Sequence, residues 1–345
     1  MKAAVYYGPG DIRVEDRPEP AALADNLIVE VIFCAICGTD LKLATVGNPR
    51  CHPPRVIGHE MVGRIAHVGS DVQGFAPGER VTLATTIACG NCPICGLGLG
   101  NLCPNSKPIS YDFDGAFAQR LAIPRQALRG GNVIIVPESV PDEAAALSEP
   151  LSCAINAQEL AGVKGGDTVL IVGGGPLGAI HAELAKALGA GQVMISELCE
   201  GRLSLLGELK DILLINAAQQ DVGAVVQERT KGLGADVVIV CAPGRGPHEQ
   251  SIQFVRKGGA VSFFASLPKG DSEIVFDSRA IHYGELRVVG ASDSRAEHVA
   301  RGVQMMAEGK IDLGSLVTHR VSLEKIHDGL ELMKNRQCLK VLVSP

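Results

Sequence analysis

The sequence predicts an α/β protein of two domains, one β-rich and one built on a doubly wound parallel sheet. Three observations carry this. The 345 residues exceed what one hydrophobic core comfortably organises. Up to about residue 145, short strands are broken by Gly and Pro turns. Beyond about residue 150, apolar strands alternate with segments of helical period, the pattern of βαβ units.

In the first part, residues 26–33 and 61–68 read as strands, and Gly78-Glu79-Arg80 turns into a strand over 81–83. In the second part, strands are expected at Thr168–Val172, 192–196, 235–241, 259–265 and 285–290. Between the first two of these, Leu177, Ile180, Leu184 and Leu188 recur every three or four positions, so 176–188 reads as a helix packed on a sheet. The tail beyond 290 reads as helical and ends strand-like over 339–343. With no repeat and no low-complexity linker, two closely packed domains with a ligand cleft between them are expected.

Composition narrows the function classes. Apolar residues make up 46% and charged residues 20%, which is ordinary globular usage. A net charge of -6 without any Lys/Arg run argues against a nucleic-acid partner. The longest apolar stretches, such as 237–242, are far short of a membrane span, and Gly8-Pro9-Gly10 leaves no room for a signal-peptide core. A cytoplasmic protein is expected. Of the eleven cysteines, four lie between positions 89 and 103, a clustering that points to metal rather than disulfides. Cys34, Cys199, Cys241 and Cys338 read as small buried hydrophobes.

Cys89, Cys92 and Cys95 are spaced by two-residue gaps, and Cys103 follows after seven residues. Such spacing lets four thiolates converge on one ion and leaves no open position, which defines a structural site. Zinc is the expected occupant; an iron–sulfur cluster or a chance group of thiols are the alternatives. Cys37-Gly38-Thr39-Asp40 and Gly58-His59-Glu60 offer a second, mixed set of thiolate, imidazole and carboxylate. This is the chemistry of a catalytic zinc with a position open for substrate, its third protein ligand coming from Glu60 or from Glu149.

The strand Thr168–Val172 runs into Gly173-Gly174-Gly175-Pro176-Leu177-Gly178 and a helix, a G-x-G-x-x-G fingerprint in its required context. Gly173 permits the turn, Gly175 a close approach to pyrophosphate, and Gly178 the packing of helix on strand. Nineteen residues past Gly178 stands Glu197, placed to accept ribose hydroxyls and to repel a 2′-phosphate. NAD is therefore expected over NADP. Arg202 is a further cofactor contact, or a surface helix residue.

Taken together, the Gly-His-Glu loop, the four-cysteine lobe, Ser148-Glu149-Pro150-Leu151 and the Gly-x-Gly-Pro-x-Gly turn resemble the zinc-containing medium-chain dehydrogenases. The likeness covers essentially the whole chain and is nearest to the polyol (sorbitol-type) and threonine branches. It implies a GroES-like catalytic domain over 1–148, completed by 291–345, with a Rossmann domain over 149–290. It also implies one catalytic and one structural zinc per chain, NAD, a small polyhydroxylated substrate, and a homo-oligomer, dimer or tetramer. Carried over by motif, Cys37, His59 and Glu60 bind the catalytic zinc, with Glu149 as an acidic ligand, direct or through water. Asp40 fixes the tautomer of His59. Thr39 passes on the proton of a substrate alcohol whose pKa the metal lowers, while a hydride leaves for nicotinamide.

Two positions depart from the family pattern. Lys42 stands where many members carry a relay histidine. The stretch Gly290-Ala291-Ser292-Asp293 places an acid where sorbitol-type enzymes carry an arginine that contacts substrate. Asp293 thus reads as a holder of hydroxyls or an amine, or as a helix cap. The expected activity is oxidation of a secondary alcohol of a polyol, cyclitol or sugar derivative. A threonine or amino-alcohol dehydrogenase is the alternative, and a non-catalytic NAD-binding descendant is a third. His52, His67, His181 and His319 are assigned surface or packing duty, and His282 is left unassigned.

Overall fold

In the computed structural model, which describes residues 1–345, the change of pattern near residue 150 marks a change of architecture. One unit comprises residues 1–152, 293–335 and 340–345; the other comprises 153–292 and 336–339.

The first unit is built on a seven-stranded sheet. Its strands run in the order Val133–Ile135, Arg80–Leu83, Glu60–Val68, Leu27–Ala35, Lys340–Ser344 and Val317–Ser322, with Arg120–Ile123 also paired to Leu27–Ala35. Lys340–Ser344 therefore lies inside the sheet, between Leu27–Ala35 and the edge strand Val317–Ser322, antiparallel to Leu27–Ala35 through Leu342 opposite Ala35 and Val343 opposite Cys34. Leu27, Val29, Cys34 and Ala35 bury their side chains, and Met61, Val62 and Ile65 bury theirs on the adjacent strand. Three shorter strands, Asp11–Asp16, Lys2–Gly8 and Arg55–Val56, form a second sheet.

The second unit is a six-stranded, wholly parallel sheet in the order Leu213–Asn216, Gln192–Glu197, Thr168–Val172, Ala235–Val240, Val255–Phe263 and Arg287–Gly290. Numbered within the unit this is 3-2-1-4-5-6, the order of a Rossmann sheet, which reverses between Thr168–Val172 and Ala235–Val240. Thr168–Val172 and Ala235–Val240, the two middle strands, are mostly buried Val, Leu and Ile, as a sheet covered on both faces requires. No helix is long and apolar enough to cross a membrane.

Several local expectations need correction. Leu213–Asn216 and Val317–Ser322 are strands absent from the sequence reading. Both carry several half-exposed or exposed positions, so neither shows an uninterrupted apolar run. The fifth strand of the second unit starts at Val255, through Arg256 and Lys257, rather than at 259. Glu285 is not in a strand; it caps the helix Ser278–Gly284 in the left-handed region (φ 48°). Cys34 and Cys338 are buried as expected, whereas Cys199 and Cys241 are half-exposed, Cys199 at the N-cap of the helix Glu200–Leu206.

Candidate active site and metal centres

The four-cysteine lobe begins where the paired segments Thr86–Ile87 and Lys107–Pro108 close its base. Cys92 caps the short helix Pro93–Gly96, with Pro93 at its first position, and Cys103 follows the turn Gly100–Leu102. The sulfur separations are 3.5 Å for Cys92–Cys95, 3.5 Å for Cys89–Cys103, 3.8 Å for Cys92–Cys103 and 3.9 Å for Cys89–Cys95. A disulfide would need about 2.05 Å. A tetrahedron of sulfurs about 2.3 Å from a central zinc has edges of about 3.8 Å, so this set fits that ion. Hydrogen bonding from the Asn91 amide is the chief reason the Cys89 thiol is lowered to about 6, toward the thiolate a metal requires.

The mixed set is assembled by a helix start and a glycine. Cys37 caps the helix Gly38–Thr45, and Asp40, three residues on, accepts the Cys37 amide at 2.9 Å in a reciprocal capping box. The other carboxylate oxygen of Asp40 lies 3.6 Å from Nδ1 of His59. It is buried and has no hydrogen-bond partner within the chain. At Gly58 (φ 93°), a Cβ would stand 2.7 Å from the Phe117 ring and 2.9 Å from Cys34 Sγ, so only glycine delivers His59 and Glu60 here. Ligand atoms of Cys37, His59 and Glu60 all lie within 4.8 Å of one another. Burial alone would lower the basicity of His59. Asp40 and Cys37 overcome it and raise His59 well above its usual range, which marks a site of negative potential suited to a cation.

Sequence reasoning missed Lys340. Its Nζ lies 2.7 Å and 2.5 Å from the two oxygens of Glu60, and the two side chains are 1% and 0% exposed. Nothing in the local pattern of Lys340 distinguishes it from an ordinary strand residue.

Glu149, at the start of the helix Ser148–Ala161, lies outside the Cys37–His59–Glu60 set. Its carboxylate is within 4.8 Å of that of Asp293 and 3.5 Å from Thr85 Oγ1. Desolvation is the main cause that raises it to about 7; His59 opposes, while Glu60 and Asp293 add to the shift. Asp293 has a positive φ of 58°, receives hydrogen bonds from Thr86 Oγ1 and from the Ser294 amide, and is not a helix cap. That position belongs to Arg295. Thr39 is half-buried in the first turn after Cys37, and Lys42 is exposed. Tyr111 was also not singled out. Burial pushes its phenol to about 12, and it stands within electrostatic reach of His59, Asp40 and Cys37.

In the second unit the glycine loop lies between Thr168–Val172 and the helix Pro176–Ala187, capped by Gly175 with Pro176 at its first position. A Cβ on Gly178 would meet Gly173 O at 2.0 Å, and one on Gly174 would meet Leu206 Cδ1 at 2.5 Å. Gly174, a free position in the fingerprint, is thus as constrained as its neighbours. Glu197 ends its strand and accepts three amides, from Gly174, Leu198 and Cys199, each at 2.8 Å. Arg202 sits 3.9 Å from the Glu197 carboxylate and against Gly175.

These two sites on these two folds define a class, the zinc-dependent dehydrogenases of NAD(P). Residues 24–130 match the alcohol dehydrogenase GroES-like domain, and residues 176–308 match the zinc-binding dehydrogenase domain. Sorbitol dehydrogenase of Bacillus subtilis (strain 168) is 33% identical over all of this chain and 97% of its own length. L-Threonine 3-dehydrogenase of Pyrococcus abyssi is 34% identical, over 99% of this chain and 97% of its own. Among solved structures, a zinc-binding dehydrogenase from Sinorhizobium meliloti 1021 bound to NADP superposes with a TM-score of 0.90 at 32% identity, covering 100% of this chain and 99% of its own. The chain belongs to the zinc-containing medium-chain alcohol dehydrogenase family, whose members include polyol dehydrogenases. It is an oxidoreductase, with zinc and NAD(P) as its cofactors.

Proposed function

We propose that the chain oxidises a secondary alcohol of a polyol, cyclitol or sugar derivative with NAD. The observation that carries this reading is the chemistry beside the Cys37–His59–Glu60 set. Glu149 and Asp293 bring two carboxylates close together there, and carboxylates accept hydrogen bonds from the further hydroxyls of such a substrate. The sorbitol dehydrogenase relative, alike over the whole chain, supports it. The position of Glu197 at the end of the second strand supports NAD.

Cys37 and His59, with Glu60 or Glu149, would hold a zinc that acts as Lewis acid on the alcohol oxygen, while nicotinamide takes up the hydride. Asp40 fixes His59, and Lys340 fixes the carboxylate of Glu60. Thr39 takes the hydroxyl proton; with Lys42 exposed, water or ribose relays it onward. Amides at the start of Pro176–Ala187 receive the pyrophosphate, and Glu197 the ribose hydroxyls, with Arg202 alongside. In this reading residues 1–148 and 291–345 form the catalytic domain and 149–290 the NAD-binding domain. The protein works in the cytoplasm, where its eleven thiols stay reduced. It assembles as a dimer or tetramer, for which the outer strand Arg287–Gly290, with Val288 38% exposed, offers an edge.

The second reading is an L-threonine or other amino-alcohol substrate, favoured by the threonine dehydrogenase relatives and by the attraction of two carboxylates for an ammonium group. NAD reduction across polyols, cyclitols, amino alcohols and simple alcohols, on protein purified without chelator, decides between them. Activity confined to polyhydroxylated secondary alcohols is expected. Activity mainly on threonine-like compounds overturns the first reading in favour of the second, and a higher kcat/KM with NADP overturns the role given to Glu197.

A further inference from the structure

Glu149 and Asp293 come from distant parts of the sequence, and two carboxylates held within 4.8 Å repel each other when both are ionised. Their spacing is therefore set by what surrounds them. Thr86 Oγ1 donates to Oδ2 of Asp293 across 207 positions of sequence, while the Ser294 amide donates to Oδ1 at 2.6 Å. One oxygen is thus oriented by its own turn and the other by a hydroxyl from elsewhere in the unit. Ser152 Oγ donates to Glu149 O at 2.5 Å, which uses its only hydrogen. In the 2.6 Å contact between the Ser152 and Ser294 hydroxyls, both buried, the donor is then Ser294. This chain of bonds ties the turn at Asp293 to the helix that carries Glu149.

Thr86 is itself pinned. The buried Asn132 donates from Nδ2 to Ala84 O at 2.8 Å and to Thr86 O at 3.0 Å, and its own carbonyl accepts the Ala84 amide at 2.8 Å. Consecutive residues of this one segment address both carboxylates, Thr85 facing Glu149 and Thr86 facing Asp293. Both carboxylates lie within electrostatic reach of His59, beside the Cys37–His59–Glu60 set. The backbone of Asp293 is left-handed, a conformation uncommon outside glycine and held here by bonds on either side.

We propose that Thr86 is a positioning residue for the substrate: its hydrogen bond holds the Asp293 carboxylate beside Glu149, so that the pair selects an alcohol with further donor groups near the reacting carbinol. This rests on the reading of the two carboxylates as acceptors of substrate hydroxyls. Thr86 acts through Asp293 and not on the reacting atoms. A carboxylate free to turn would have to be ordered by each substrate that uses it, and that cost falls on no substrate that leaves it alone.

The test is steady-state kinetics of the zinc-replete protein with sorbitol, propylene glycol and isopropanol. Isopropanol offers the secondary carbinol alone, and propylene glycol adds one neighbouring hydroxyl. The proteins are wild type, Thr86→Val, Thr86→Ser, Asp293→Asn and the double variant Thr86→Val with Asp293→Asn. Thr86→Val keeps the shape and loses the donor. It should lower kcat/KM for sorbitol and propylene glycol roughly tenfold, mostly through KM, the effect of one hydrogen bond to a charged group. Isopropanol, which offers nothing to Asp293, should lose far less, and Thr86→Ser should stay near wild type on all three. The double variant should be no worse than Asp293→Asn alone, because the hydroxyl acts through that carboxylate. Equal losses on all three alcohols, additive losses in the double variant, or wild-type selectivity in Thr86→Val overturn the proposal. If Thr86→Val does not fold, Thr86→Ala takes its place, and if isopropanol reacts too slowly to follow, the sorbitol cycle decides alone. If only L-threonine is oxidised, the polyol reading fails by itself. The same five proteins on L-threonine then decide the role of Thr86, since its ammonium group would meet the same two carboxylates.

Discussion

Replacing Lys340 with methionine keeps the length and apolar stem of the side chain and removes only the charge. Glu60 would then be left fully buried without the cation that both its oxygens contact. Breaking a buried pair from one side costs about 3–5 kcal/mol, because the remaining charge keeps its desolvation penalty. The first unit holds on the order of 200 residues, and for a domain of that size 1 kcal/mol corresponds to about 2–4 °C in melting temperature. Its transition should therefore fall by roughly 6–20 °C. The double variant Lys340→Met with Glu60→Gln, which buries no uncompensated charge, should recover most of that loss. Circular dichroism melts of the four proteins of the cycle, compared at equal zinc content checked by atomic absorption because Glu60 also belongs to the metal set, measure the coupling. A single variant melting within a degree or two of wild type, or a double variant no better than the single, would refute the argument that each buried charge of this pair needs the other to offset its desolvation.

Two further outcomes are expected. His181, buried and lowered to about 3 by desolvation, must stay neutral in the fold while the unfolded chain protonates it near its ordinary 6.5. Its contribution is complete above about 6.5 and is lost as pH falls toward 3, up to roughly 3–5 kcal/mol, so His181→Leu should flatten urea stability across that window. An unchanged acid limb would count against it. Cys95→Ser should leave the chain with one zinc fewer by atomic absorption and a lower, chelator-independent melting temperature, since structural zinc contributes directly to folding. Full metal content in that variant would mean the four sulfurs do not share an ion.

What could be read from the sequence was what repeats locally. The two-residue gaps of the cysteine lobe and the strand–glycine–helix turn are compact signals. The sulfur separations and the steric limits at Gly173 and Gly178 agree with them. Buried strands such as Thr168–Val172 were legible because both faces demand apolar residues. Leu213–Asn216, at a sheet edge, and Val317–Ser322 are only partly covered, so their side chains are less constrained and their pattern is weaker. The Glu60–Lys340 pair joins residues 280 positions apart, and lysine is normally a surface residue, so no window of sequence could have signalled it.

The place of Lys340–Ser344 inside the first sheet has a consequence during synthesis. Leu27–Ala35 leaves the ribosome about 300 residues before its antiparallel neighbour Lys340–Ser344. At about 5–20 residues per second, roughly 15–60 seconds separate the two. Throughout that interval the end of this strand at Cys34 and Ala35 stands open on one edge to any passing β-segment, and Glu60 has no lysine to meet it. A nascent chain of this design is one that chaperones would be expected to hold, and slowing translation should increase its aggregation more than slowing it in a protein whose sheet closes as it is made.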